Sequence, residues 1–164
     1  PMNNKQLQTA LEIATIAHKN VTRRNGDPYI FHPCRVANNS RYIRTKLQKT
    51  AALLHDVIED TPYDEQFLIQ QGIGQEVVNV LKLLTHDKEN DSYEFYIDKI
   101  CTNPDAMLVK LSDLADNLDQ GTLDIITDRD KERFVTYSNA QCKIMATLAT
   151  DYPELFKKIL TVHY

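Results

Sequence analysis

The chain has 164 residues, enough for one domain with a substantial core and too few for two comfortable ones. Nineteen basic against 23 acidic side chains leave a net charge of −4, which excludes a general electrostatic footprint for nucleic acid or an anionic membrane. An apolar fraction of 42% with 26% charged residues is ordinary for a soluble globular fold, and only four Gly and six Pro disfavour a turn-rich β architecture. Three widely spaced cysteines, Cys34, Cys101 and Cys142, suggest neither a disulfide framework nor a zinc ribbon, so a reducing cytoplasm is the expected setting. No apolar run approaches membrane-spanning length, and the N-terminus lacks a secretory h-region.

In chain order, Leu7, Leu11, Ala14 and Ala17/His18 recur at helical spacing, predicting an amphipathic helix that ends near Asn20. A basic loop with Gly26 and two prolines follows, and a short helix is expected from Pro33, because proline suits a first helical turn. Thr45 to Asp60, with Leu47, Ala51, Ala52, Leu54, Val57 and Ile58, predicts one strong helix stopped by Thr61-Pro62. Asp64 to Gln71 reads as a short helix before Gly72-Ile-Gly74, and Val77, Val80, Leu81 and Leu84 form the next apolar stripe. Further helices are expected over Asp91–Cys101 and Asp105–Leu118. A Thr127 or Asp128 cap then opens a helix that buries Phe134, Tyr137, Cys142, Met145 and Leu148, and a last short helix follows Pro153. The fold class is therefore all-α, one helical unit over 1–164 without repeats or linkers.

Within the strong helix, His55 lies over Glu59 and Asp56 over Asp60 at the i,i+4 spacing. Burying these acids unpaired among Leu, Ala and Val would cost several kcal/mol, at least ~2 for each group, so a cation is the natural compensation. His32 and Asp113 are candidate further ligands, and a mixed imidazole and carboxylate shell suits Mn, Fe or Zn. A solvated acidic helix with a structural histidine is the alternative at this stage.

Five ordered segments carry a resemblance. They are His18 near Arg23-Arg24; Gly26-Asp-Pro-Tyr-Ile-Phe-His32-Pro; Ala51-Ala-Leu-Leu-His55-Asp56-Val-Ile-Glu59-Asp60-Thr; Gln71-Gly-Ile-Gly74; and Val109-Lys110-Leu-Ser-Asp113-Leu-Ala-Asp-Asn117. Over roughly His18 to Asn117 the chain resembles the hydrolase domain of RelA/SpoT-type alarmone enzymes, within the HD superfamily. The resemblance implies an HD-domain helical bundle with a family-like core at about 18–118 and C-terminal helices at 128–161. It also implies His32, His55, Asp56 and Asp113 as ligands of one metal, usually Mn2+, and Glu59 and Asp60 as the catalytic pair that orients or deprotonates water. Arg23, Arg24, Lys110 and Asn117 would bind a nucleotide substrate, losing the 3′-pyrophosphate of a guanosine tetra- or pentaphosphate.

Tyr29 is expected to pack the loop, His18 to be structural, and Cys34 to be a buried inert thiol, while His86 and His163 receive no role. After Asp113 the chain departs from the pattern. Leu114, Asp116 and Asp119 stand among positions where such hydrolases carry basic or aromatic groups, which puts the polyphosphate substrate in doubt more than the metal. Two alternatives follow: an HD phosphohydrolase acting on another nucleotide or phosphate ester, and a non-catalytic nucleotide-sensing module. The helices after Asp128 are left to packing, to closing the pocket or to a homodimer surface.

Overall fold

The computed structural model describes residues 4–119 and 125–161, so His163 and the first three residues lie outside it. Among the described residues there are ten helical segments and no strand beyond one isolated bridge between Thr22 and Pro28. They are α1 (Asn4–Ala17), α2 (Phe31–Asn38), α3 (Lys46–Leu54), α4 (Val57–Asp60), α5 (Glu65–Gln70), α6 (Gln75–Leu84), α7 (Tyr93–Ile100), α8 (Pro104–Leu118), α9 (Asp128–Asp151) and α10 (Pro153–Leu160).

Side-chain caps set many of the helix starts. Thr45 closes a capping box with Gln48 at the head of α3, and Thr127 does so with Asp130 at the head of α9; Asp64, Ser92 and Asn103 cap α5, α7 and α8. Each such cap satisfies backbone N–H groups that a helix leaves unpaired, at about 1 kcal/mol apiece. Pro104 and Pro153 occupy the first turns of α8 and α10, where a missing N–H costs nothing.

The centre of the molecule is α3 and α8. Helix α3 packs against α1, α2, α6 and α8, while α8 also meets α2, α6, α7 and α9, and α10 lies on α9. Ala106 through Leu114 are buried without interruption, so this part of α8 is enclosed on all sides and carries Lys110, Ser112 and Asp113 into the interior with its apolar residues. Ser112 Oγ donates to the Val36 carbonyl at 2.7 Å and Gln48 Nε2 to Asp105 at 2.9 Å, which fixes α8 against α2 and α3. Leu54, Leu108, Leu111 and Ile144 are fully buried, each contributing roughly 1.5–3 kcal/mol of transfer free energy.

Several sequence expectations are corrected. Leu11 is 43% exposed, because α1 approaches α3 along Ala10, Ile13 and Ala14, and the two alanines let the helices come close together. Helix α2 starts at Phe31, two residues before Pro33, which still sits within the first turn. In α9 the buried stripe is Ala140, Ile144 and Leu148; Phe134 and Cys142 face outward, since the contact with α8 and α7 follows the 3.6-residue period from Tyr137. Cys34 is half-buried rather than buried. The largest correction concerns Thr45 to Asp60, which is not one helix. It breaks at His55-Asp56, with Asp56 at φ −101° and ψ −4°, and restarts as the single turn α4.

Candidate metal centre

The break in the helix places His55 at the C-terminal end of α3, where helix carbonyls lack partners. Its Nδ1 lies 2.7 Å from the Ala52 carbonyl and must donate to it, which leaves Nε2 facing inward. From α2, His32 behaves alike: its Nδ1 lies 2.6 Å from Asp116 Oδ2 and its Nε2 points to the same centre. The two Nε2 atoms stand 3.2 Å apart. Asp113 Oδ1, from α8, is 3.1 Å from His32 Nε2 and 3.3 Å from His55 Nε2, and Asp56 Oδ2 is 3.0 Å from His55 Nε2.

His32, His55 and Asp56 each offer one donor atom within 4.8 Å of the others, and Asp113 closes the group from a third segment. Separations near 3 Å are what donors about 2.1 Å from one shared cation span at right angles. With both Nδ1 atoms donating outward, two imidazole lone pairs would face each other beside two carboxylates. Positive charge between them relieves that arrangement, so the donor set fits a divalent ion. The balance of burial and charge points the same way. Burial opposes protonation of His55, yet Asp56 and Asp113 outweigh it and hold His55 well above the usual range. Burial likewise opposes ionising Asp56 and Asp113, but His55 draws Asp56 down to about 2, and Lys110 with His55 holds Asp113 well below the carboxylate range.

Every ligand candidate is itself held. The Tyr29 hydroxyl donates a short hydrogen bond to Asp56 Oδ2. Lys110 Nζ donates to Asp113 Oδ2 at 2.8 Å, and Asn117 Nδ2 to Asp113 Oδ1 at 2.9 Å. Lys110 is only 8% exposed and its ammonium lies 5.3 Å from the Tyr96 ring centre, so it is a buried partner of Asp113. Asp116 takes three basic partners: His32, Arg23 Nη1 at 2.9 Å, and Arg35 through Nε at 2.7 Å.

Glu59 and Asp60 lie beside this centre on α4, at the wall of a cavity of about 420 Å3. Glu59 Oε1 accepts from the His86 backbone N–H at 2.7 Å, and its other oxygen is 3.5 Å from Lys88. Partial shielding at the cavity mouth, then the Asp56 and Glu59 carboxylates, push Asp60 up to about 6. The far wall is aromatic: His86 stacks on Tyr96 at 4.6 Å, and the buried Tyr93 hydroxyl has no hydrogen-bond partner among the described residues. His18 is buried beside the Tyr29 ring, 4.8 Å between centroids, outside the donor set.

Arg23 and Arg24 line a second cavity of about 440 Å3 that shares Tyr29, Asn117 and Tyr137 with the first. Neither is unpaired: Arg23 Nη2 also donates to Asn117 at 3.0 Å, and Arg24 forks onto Asp130 at 2.6 and 2.8 Å. The structure thus brings all ten sequence-predicted site residues to two adjoining cavities. Tyr29, Arg35, His86, Tyr93 and Asp116 are site residues that pattern reading missed. For Asp116 a signal was present, since it follows Asp113 by three positions and so shares its helical face.

A helical core with two histidines and two aspartates from three segments defines a class of metal-binding α-domain, and the HD domain family matches residues 29–120. The chain belongs to the HD domain family. Among its relatives, it is 33% identical over 120 residues to a probable GTP pyrophosphokinase of Mycobacterium leprae, covering 68% of this chain and 15% of that protein. It is 31% identical over 128 residues to a guanosine-3′,5′-bis(diphosphate) 3′-pyrophosphohydrolase of Aquifex aeolicus, covering 72% and 18%. It is 34% identical over 125 residues to the bifunctional (p)ppGpp synthase/hydrolase SpoT of Escherichia coli, covering 70% and 18%. The chain therefore spans less than a fifth of the length of these curated relatives. The solved structure of a metazoan SpoT ortholog, described as hydrolysing ppGpp, aligns over 97% of this chain and 94% of its own at a TM-score of 0.75 and 24% identity, which shows the shared fold.

Proposed function

We propose that this chain is a metal-dependent phosphohydrolase that removes the 3′-pyrophosphate of guanosine tetra- or pentaphosphate-type nucleotides, with Mn2+ as its cation, in the cytoplasm. The observation that carries the reading is the convergence of His32, His55, Asp56 and Asp113 on one point with Glu59 and Asp60 alongside. The names of the relatives supply the substrate class.

When bound, a divalent ion lowers the pKa of a water and neutralises phosphate charge, which lets a chain of net charge −4 handle a polyanion. Tyr29, Lys110 and Asn117 hold the carboxylates of Asp56 and Asp113 in place. Glu59, fixed by the His86 amide, orients the attacking water, and Asp60 receives its proton, a task suited to a carboxyl near neutrality. Water oxygen bonds to the phosphorus on the ribose 3′ oxygen, the bond from that phosphorus to the ribose oxygen breaks, the ribose oxygen takes up the proton that Asp60 received and leaves as the 3′-hydroxyl, and pyrophosphate departs. Arg23 and Arg24, with Asn117 at the join of the two cavities, contact the nucleotide, while Lys110, expected from the sequence to join them, is taken up by Asp113. The C-terminal helices 128–161 wall the second cavity through Asp130 and Tyr137, and a homodimer is compatible with the faces they leave exposed.

A second reading is favoured by a specific observation. Arg23, Arg24 and Arg35 are each bound to Asp116 or Asp130, so the second cavity offers less net positive charge than a tetraphosphate would use. That suits a less charged nucleotide or phosphate ester. Loading the protein with Mn2+ and screening guanosine and adenosine 3′-diphosphates against 5′-mono- and triphosphates separates the two. Pyrophosphate from the 3′-diphosphates alone supports the first; turnover confined to 5′-esters replaces it with the second. Binding without turnover in any metal would return the chain to a sensing role. Glu59→Gln is expected to keep the metal and lose about 100-fold in rate; full activity in that variant would remove Glu59 from the mechanism.

A further inference from the structure

We propose that Asp116 is the positioning residue of the metal centre: its carboxylate holds His32 in the tautomer whose Nε2 faces the ion. The inference rests on the metal reading above and assigns a role to a residue that departs from the resembling pattern.

The geometry is built from two helices in register. On α2, His32 and Arg35 are three residues apart and share a face; on α8, Asp113 and Asp116 do the same. The inner rung joins His32 Nε2 to Asp113 Oδ1 at 3.1 Å. The outer rung joins Asp116 to both His32 Nδ1, at 2.6 Å, and Arg35 Nε, at 2.7 Å. His32 is 2% exposed and the Asp116 side chain 13%, so water competes little for this bond. A carboxylate can only accept here, so Nδ1 carries the hydrogen and Nε2 keeps its lone pair for the centre. A carboxylate behind a ligating imidazole fixes the ring and raises its basicity.

Arg23 and Arg35 complete the device. Arg23 reaches Oδ2 and Arg35 both oxygens, so two guanidinium groups hold the carboxylate that meets His32. An acidic residue that seems hostile to phosphate therefore has a use: it is directed at His32, and it consumes two guanidinium groups.

The rival explanation is a clamp between α2 and α8 with no bearing on the metal. Calorimetric titration of the metal-free chain with Mn2+ alone, alongside circular dichroism and the His32 tautomer by nitrogen-resolved NMR, separates them. Asp116→Ala should raise the Mn2+ dissociation constant about 10- to 100-fold, and Asp116→Asn, which keeps an acceptor but not the charge, about 3- to 10-fold. Ser112→Ala, which removes the α8 bond to the Val36 carbonyl of α2 and so loosens the clamp without touching Asp116 or His32, should lower Tm while leaving the dissociation constant within about threefold. Wild-type affinity in either Asp116 variant overturns the proposal, as does a Ser112→Ala loss as large as that of Asp116→Ala. Should Asp116→Ala not fold, Asp116→Asn and the tautomer spectrum decide. Failure of the wild-type chain to bind Mn2+ would instead sink the metal reading itself.

Discussion

The metal centre and the arginine cavity adjoin each other, yet they handle charge in opposite ways. In the centre, Lys110, His55 and Asp113 are buried in a helical core, so each charge must be met within the protein. In the arginine cavity, Asp130 is buried but Arg24 is half-exposed, and the capping contacts from Thr127 stay with Asp130 when the guanidinium is lost to water. Ionic contacts of similar length thus differ in what their loss costs: deep ones hold the site's geometry at the expense of stability, and shallow ones tune access and charge.

The sharpest way to break this contrast is Asp113→Ala, which strands the Lys110 ammonium in the core and should cost about 3–5 kcal/mol in denaturant unfolding as well as all metal binding. A double replacement, Lys110→Met with Asp113→Leu, should recover most of that stability and still bind no metal. If the double variant were as unstable as the single one, burial of the pair would not be the source of the loss. Next in size, Thr127→Ala removes the α9 capping box and should cost about 1 kcal/mol, read as a lower urea midpoint with an unchanged slope.

The smallest effect is expected at the arginine cavity. Hydrogen bonding from Arg24, then from Thr127, holds Asp130 below the ordinary carboxylate range. A carboxyl depressed by folding stabilises above its unfolded pKa of about 3.9 and loses that contribution as pH falls through its folded value. Arg24→Ala should therefore lower Tm slightly and evenly at neutral pH, and the gap from wild type should close as the pH is taken well below about 4. A gap that widened in acid would reverse the sign and refute the pairing.

How far the sequence foretold this molecule follows the same divide between local and distant partners. The ligand histidines and aspartates sit in compact runs, and the helix starts at Thr45, Asp64 and Thr127 carry caps that need no tertiary knowledge. The interruption at His55-Asp56 was hidden, because every residue from Lys46 to Asp60 is compatible with helix; the turn is imposed by what His55 meets across the core. Tyr29 on Asp56 and Arg35 on Asp116 were equally hidden, being contacts 27 and 81 positions apart. Asp116 itself was read as a loss of positive charge: its spacing from Asp113 places it on the same helical face, but the imidazole it meets lies 84 positions away.

The tail of the chain carries one more consequence. Arg44 donates to the Lys158 carbonyl at 2.7 Å and Arg41 to that of Ile159 at 3.3 Å, so the final turn of α10 is tied to the segment that leads into α3. Because α3 ends at His55, the far terminus and the ligand-bearing helix are stitched together through a few backbone oxygens. Fraying from that end is thereby opposed, and amide protons of α10 and α3 should exchange with solvent in one cooperative event rather than in sequence.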